Sequence, residues 1–190
     1  GATDRAQALL AGKKSPQPAM CYGRWLGGFP GVAWWRKMDQ SGGQLVEQAT
    51  HIVDLARYLM GEITSVACTA ALREMDKVYE GTTVPDVTAL TVTFASGAIG
   101  NFTTSCILSP TSEVALDLYL LGATYKISGN SLEVENKEET NTYRFDNNPS
   151  LDEDKAFVQA VKTGKRSGIR STYADALKTL KIKLAANQSA

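Results

Sequence analysis

The stretch VTALTVTFASGAIGNFTTSCIL, Val87 to Leu108, is the clearest structural signal in the sequence. Two runs of alternating apolar and polar residues flank a short connection, ASG, that contains a glycine. Alternation with a period of two is typical of strands, and a short glycine-containing connection joins two such strands into a hairpin. The stretch therefore predicts a β-hairpin.

The two sides of this hairpin differ in character. Leu90, Val92 and Phe94 share one side of the first strand, because successive side chains of a strand point to opposite faces. The other side is small and rich in threonine, and it includes Thr91 and, in the second strand, Thr103. We expect the apolar side to face the core. The threonine side is either solvated or a contact between subunits, and we favour self-association through it.

The segments around the hairpin define the fold class. Further strands are predicted at 19–27, 62–72, 113–122, 124–135 and 140–145. Helices are predicted at Asp4–Leu10, Gly43–Met60 and Leu151–Thr163, and Ser171 is the predicted N-cap of a last helix. Strands followed by helices indicate the α+β class. We predict an open-faced, predominantly antiparallel mixed β-sheet with helices packed on one face, in one domain spanning residues 1–190.

The last two predicted helices carry apolar residues at helical spacing. These are Phe157, Ala160 and Val161 in the first, and Ala174, Leu177, Leu180 and Leu184 in the second. Each set predicts an apolar face on its helix.

Composition argues against several classes of function. Lys and Arg together number 20, as do Asp and Glu, so the chain has no basic surplus for nucleic acid. One histidine and three cysteines without a C-x-x-C pair argue against a metal site. The sequence has no run of about 18 apolar residues, which predicts no membrane span, and its cysteine usage fits the cytoplasm.

Sequence fingerprints for nucleotide binding and hydrolysis are missing. There is no G-x-G-x-x-G, no P-loop pattern and no G-x-S-x-G in the sequence. We therefore predict no cofactor-binding residue in this chain.

The only histidine lies in SGGQLVEQATHIVDLARYLMGE, Ser41 to Glu62. On one helix, Glu47 and Asp54 lie about a turn before and after His51. Histidine exchanges protons near neutral pH, and a flanking carboxylate can hold one of its ring nitrogens. Spacing alone leaves two alternatives open, a catalytic face or a solvated helix surface on which Arg57 pairs with Asp54.

This segment resembles a motif of the Gfo/Idh/MocA family, the glucose–fructose oxidoreductase and inositol dehydrogenase-like enzymes. The motif is G-G-x-x-x-[D/E]-x-x-x-H-x-x-D at the start of a long helix. It is matched here by Gly42, Gly43, Glu47, His51 and Asp54. The segments LLAG, PAMCYGRWLGG, WWR, TVTFASGAIGNF, YADALKTL and LAANQSA also resemble the C-terminal domain of that family, so the resemblance covers nearly the whole chain.

The resemblance implies a function. Residues 1–190 would be the C-terminal substrate-binding and oligomerisation domain of an oxidoreductase that acts on a sugar, cyclitol or related polyol. The N-terminal Rossmann domain, which binds NAD or NADP in the family, and the family's catalytic lysine would be absent from this chain. The chain alone would then be inactive, because hydride transfer needs a positioned cofactor. The alternative is a non-catalytic ligand-binding or oligomerisation module with the same fold.

The resemblance also assigns roles to residues. His51 matches the catalytic histidine, which acts on the substrate hydroxyl proton. Glu47 matches a position that usually holds aspartate, and we expect it to assist catalysis. Trp35, Arg36 and Asp54 are the expected substrate-binding residues, and Asp54 is also expected to orient His51. From the residues alone, Trp34 and Trp35 are more often anchors in a core or interface than substrate-binding side chains.

Overall fold

The computed structural model describes residues 1–12 and 15–190. Eight strands in this part of the chain form one sheet. They are β1 (Met20–Leu26), β2 (Ile63–Ala71), β3 (Val87–Phe94), β4 (Ile99–Ser105), β5 (Glu113–Leu120), β6 (Ala123–Ser128), β7 (Ser131–Asn136) and β8 (Thr140–Arg144). The order across the sheet is β2-β3-β4-β1-β5-β6-β7-β8. Neighbouring strands are antiparallel except β1 and β4, which are parallel.

Helices cover one face of this sheet. They are α1 (Ala2–Leu10), α2 (Met38–Ser41), α3 (Gln44–Glu47), α4 (Thr50–Met60), α5 (Met75–Val78), α6 (Pro149–Thr163) and α7 (Tyr173–Ser189), with a 3₁₀ helix at Ala33–Arg36. Helix α7 packs on β2, α4 on β1 and β5, and α1 on β6 and β7. The predicted α+β class, with an open mixed sheet and helices on one face, is confirmed.

The predicted hairpin corresponds to β3 and β4. Leu90, Val92 and Phe94 are almost completely buried beneath the helices. Thr91 is exposed and Thr103 is half-buried on the opposite, open face. The alternation of the sequence therefore predicted the orientation of both strands correctly.

The predicted helix Gly43–Met60 is interrupted in the structure. The amides of Gln48 and Ala49 both donate to the carbonyl of Gln44, at 3.0 Å each, so the helical turn widens at this point. Helix α3 ends at Glu47 and α4 begins at Thr50. Short helices also occur between the predicted elements, namely α2, α5 and the 3₁₀ turn.

The predicted apolar faces of the last two helices are largely exposed. Phe157 and Val161 of α6 are 63% and 70% exposed, and Leu177 and Leu184 of α7 are also exposed. The N-cap of α7 is Thr172 rather than Ser171, because the Thr172 side chain accepts a hydrogen bond from the α7 backbone. Helix α7 instead packs inward with Ala186 and Ile182 and with a polar face, described below.

A glycine in β1 lets α4 lie close to the sheet. A Cβ atom at Gly23 would lie 2.4 Å from the ring of Phe102 and 2.5 Å from the side chain of Ile52. Such distances are shorter than any ordinary contact between carbon atoms. Gly23 therefore sets how closely α4, and with it the neighbouring His51, approaches β1.

In residues 1–12 and 15–190, no helix is both long and apolar enough to cross a membrane.

Candidate functional site

His51 lies in the first turn of α4, and its side chain is exposed. The imidazole packs on the indole of Trp25 from β1, with ring centroids 5.5 Å apart and planes inclined by 32°. Gly42 and Gly43 precede this region with φ values of +74° and +82°. These left-handed conformations favour glycine, so the pair sets the path of the chain into α3.

A cavity of about 450 Å³ opens beside His51. Its walls come from α1, α4 and the chain around the start of α7, and they are mostly polar or charged. The lining residues are Thr3, His51, Asp54, Leu55, Arg57, Tyr58, Glu62, Arg170, Ser171 and Asp175. The volume falls within the usual range for small-molecule sites. Three carboxylates and two guanidinium groups give this wall both hydrogen-bond acceptors and donors.

Asp54 lines this cavity but is also held within the protein. Its carboxylate lies 3.3 Å from the guanidinium of Arg57 and accepts a hydrogen bond from the hydroxyl of Thr179. The pairing with Arg57, one of the alternatives left open by the sequence, is confirmed. Asp54 therefore ties α4 to α7, and its expected role in substrate binding stays a prediction.

Arg57 is buried at the base of the site. Its guanidinium lies 2.9 Å from Asp175 and 3.2 Å from Glu62, and Lys178 lies 2.8 Å from Glu62. Hydrogen bonds from Lys178 and Arg57 lower the pKa of Glu62, and the hydrogen bond from Arg57 lowers the pKa of Asp175. Both carboxyl groups are thus held in the ionised form.

The other predicted site residues lie away from this cavity wall. Trp35 stacks on Trp34 at 6.0 Å between ring centroids. Arg36 donates to the carbonyl of Pro30 at 2.8 Å and lies over the ring of Tyr79 at 4.1 Å.

Glu47 ends α3 and is half-buried. Within the described part of the chain, the structure brings His51 and Asp54 to one cavity but does not place Glu47, Trp35 or Arg36 in its wall. The roles of these three residues stay predictions.

Sequence reasoning missed a row of polar contacts between α7 and the segment that carries His51. Four residues of α7, each four positions from the next, make these contacts: Asp175, Thr179, Lys183 and Asn187. Their partners run in the opposite direction along the chain: Arg57, then Asp54, then Thr50 and Val46, then Gly42. We call this row the polar seam. The four-residue spacing of polar side chains in the last helix was the signal that could have revealed it.

Across residues 1–12 and 15–190, no three His, Cys, Asp or Glu side chains lie close enough together to hold a metal ion.

Known proteins resemble this chain in sequence and in fold. Residues 3–130 match the family model described as the GFO/IDH/MocA C-terminal domain. The uncharacterized Schizosaccharomyces pombe protein UNK4.17 is 30% identical over 172 aligned residues, which cover 78% of this chain and 42% of that protein.

Two solved structures illustrate the likeness of fold. Levoglucosan dehydrogenase in complex with NADH and levoglucosan superposes with a TM-score of 0.83 at 16% identity, over 97% of this chain and 59% of the dehydrogenase. An oxidoreductase from Thermotoga maritima gives a TM-score of 0.81 at 21% identity, over 99% of this chain and 56% of that one. The chain thus spans between about two fifths and three fifths of the length of these relatives.

The family model covers more than half of the chain, and the solved relatives share its open sheet and helix layer. The chain therefore belongs to the Gfo/Idh/MocA family of oxidoreductases and carries the C-terminal domain of that family.

Proposed function

We propose that this chain is the substrate-binding part of an NAD(P)-dependent oxidoreductase that acts on a sugar, cyclitol or related polyol. One observation carries the proposal: the only histidine in the sequence is exposed at a cavity lined with carboxylates and guanidinium groups. Such a lining can hydrogen-bond several hydroxyl groups of one ligand. The relative named levoglucosan dehydrogenase, which was solved with NADH and levoglucosan, supports the same substrate class and cofactor.

The described residues do not fit a dinucleotide. Binding of that group usually needs a strand, a glycine-rich turn and a helix in succession within a parallel sheet, and the only parallel pair in the described sheet is β1 with β4. We assign NAD or NADP to a Rossmann domain outside these residues, and we expect the 190-residue chain alone to be inactive.

In this proposal His51 accepts the proton of the substrate hydroxyl. Its imidazole is exposed at the cavity while one face rests on Trp25, so a ring nitrogen can reach a bound ligand. Asp54, fixed by Arg57 and Thr179, holds the helix that carries His51. The cytoplasm is the proposed compartment, and the three buried, unpaired cysteines support a reducing environment.

The test replaces His51 with asparagine in the protein joined to its nucleotide-binding domain. Reduction of NAD and NADP is then followed with levoglucosan and myo-inositol as first substrates. We expect kcat to fall by about 100-fold or more, since positioned acid–base groups contribute about that much. Gln188→Ala, at an exposed position of α7, is the control and should keep full turnover.

Two results would contradict the proposal. Unchanged turnover in His51→Asn would reject the catalytic role of the histidine. Turnover by the 190-residue chain without a nucleotide would indicate another reaction class.

The alternative is a non-catalytic ligand-binding or oligomerisation module. It is favoured by Arg36, whose side chain is engaged by Pro30 and Tyr79, and by Glu47, which does not line the cavity. Saturable polyol binding without any turnover that depends on His51 would support this alternative.

We also propose that two copies of the chain associate through the open face of the sheet. Tyr22 and Thr103 hydrogen-bond across this face at 2.9 Å, and Arg24 lies 2.6 Å from Asp117. The second carboxylate oxygen of Asp117 is buried and has no hydrogen-bond partner among the described residues. A second copy packed on this face offers a partner for that oxygen.

A further inference from the structure

Lys183 occupies an unusual environment at the middle of the polar seam. Only 3% of the surface of Lys183 is exposed to solvent, whereas most lysines in proteins lie at the surface. The ammonium group donates to the hydroxyl of Thr50 and lies 3.4 Å from the carbonyl oxygen of Val46. Burial lowers the pKa of Lys183 to about 8, while the negative charges of Asp54 and Glu47 oppose that effect.

The two partners of Lys183 lie on opposite sides of the break between α3 and α4. Val46 belongs to α3 and Thr50 is the first residue of α4. Between them the backbone widens, because the amides of Gln48 and Ala49 share one carbonyl. A single ammonium group therefore connects two helices at the point where their backbone ladder is irregular.

His51 follows Thr50 directly, so its orientation depends on this connection. Any change in the angle between α3 and α4 moves the start of α4 relative to Trp25 of β1. The neighbouring contacts of the seam act on other points: Asn187 holds Gly42, and Thr179 holds Asp54. Lys183 is the member of the seam that acts at the break itself.

We propose that Lys183 is a positioning residue for His51: by holding Val46 and Thr50 together, it fixes the direction in which α4 presents the imidazole to the cavity. The proposal rests on the assignment of His51 to the reaction but concerns its orientation, which can be measured without turnover. Lys183 does not touch the substrate in this arrangement. Its effect passes through the backbone of residues 46–51.

The 190-residue chain offers a direct measurement, because His51 is its only histidine. The imidazole proton signals in an NMR spectrum can therefore be assigned without ambiguity. The ring of Trp25 shifts these signals and gives through-space contacts to them. Lys183→Met removes the ammonium group and keeps most of the side-chain volume. Lys181→Met makes the same change at an exposed position of the same helix and is the matched control.

We expect Lys183→Met to lose the Trp25 contacts of the imidazole and to move its proton signals toward those of a solvated histidine. Amide exchange at residues 48–51 should become faster by about 10-fold or more, because local opening there loses its restraint. Lys181→Met should retain the parent signals and exchange rates. Retention of the parent signature in Lys183→Met would overturn the proposal.

A second variant covers the case in which Lys183→Met does not fold. Thr50→Val keeps the lysine but removes its hydroxyl acceptor, and the same loss of the Trp25 signature is expected. A folded Thr50→Val chain with an unchanged signature would then overturn the proposal.

The proposed function is tested by a different measurement, the turnover of His51→Asn, so its failure can be distinguished from failure of the positioning role. In an active protein, Lys183→Met should lower kcat by about 10- to 100-fold with little change in KM, as expected for a displaced catalytic group.

Discussion

Arg57 joins three acidic side chains from separate parts of the chain: Asp54, Glu62 and Asp175. Its own side chain is 5% exposed, whereas the three carboxylates are reached by solvent. A buried guanidinium needs such partners, because an unpaired charge in the interior is strongly unfavourable. The site beside His51 is therefore built on a charge cluster that also holds α4, α7 and the chain after α4 together.

Replacing Arg57 with methionine should lower the free energy of unfolding by about 1–2 kcal/mol at pH 7, because charge-assisted hydrogen bonds are lost while the three remaining carboxylates stay hydrated. Urea unfolding followed by circular dichroism measures this loss. Lys155→Met, which removes an exposed charge from α6, is the control and should change the stability by less than about 0.5 kcal/mol.

The loss of stability in Arg57→Met should be smaller at acidic pH than at pH 7. The pKa values of Glu62 and Asp175 are lower in the folded chain than their ordinary values of 4.5 and 3.8. Their stabilising contribution is therefore complete above about pH 5 and disappears as the pH falls through the folded pKa values. The difference in stability between the parent and Arg57→Met should shrink when the pH falls from 7 to 3. An equal difference at both pH values would contradict the ion-pair explanation.

Single residues of the site were predictable to different degrees. The Asp54–Arg57 pair was one of two readings of the spacing, because both residues lie on one helix. The packing of Trp25 on His51 and the contacts of Lys183 join segments far apart in sequence. A local pattern contains no information about such pairs.

Helix α4 depends on the strand beneath it for its position. Gly23→Ala should lower the free energy of unfolding by about 1–3 kcal/mol, because its new methyl group would overlap Phe102 and Ile52. Urea unfolding measures the loss. Gly27→Ala lies beyond the end of the same strand, where an added Cβ meets no atom within 4 Å, and should be nearly neutral. If Gly23→Ala and Gly27→Ala were equally stable, α4 could move away from β1 at no cost in free energy, and the prediction would be wrong.

Strands and helices differed in how well the sequence predicted their faces. Strands β3 and β4 followed the period of two, because one side of each faces the helix layer and the other lies on the open face. The faces of α6 and α7 were predicted wrongly, since Phe157, Val161 and Leu184 point outward. In α7, Ala186 and Ile182 face the core. The polar seam occupies the neighbouring side of the helix, so Leu177 and Leu184 are left exposed although they have helical spacing.

At the scale of the whole molecule, the open face of the sheet is the proposed contact between copies. Thr91→Arg with Thr103→Arg places two charges on this face. Desolvating these charges would oppose association, so we expect a dimer or larger species to become a monomer in analytical sedimentation.

The control for this experiment adds the same charges to the helix side of the protein. Gln159→Arg with Gln188→Arg changes exposed positions of α6 and α7 and should leave the assembly unchanged. An oligomer that survives the threonine substitutions, or dissociates equally in both double variants, would exclude the open face as the contact.

The parallel pairing of β1 with β4 affects the order of folding. The strands β2, β3 and β4 form one group of successive neighbours, and β5 to β8 form another. Each group can pair from segments close in sequence, but β1 must enter between them from the segment that precedes β2. Of the strands in this sheet, β1 is the first to be made, yet its two neighbours begin only at Ile99 and Glu113. Closing such a distant pairing is slow compared with forming hairpins, so the insertion of β1 is the step that turns two separate sheets into one.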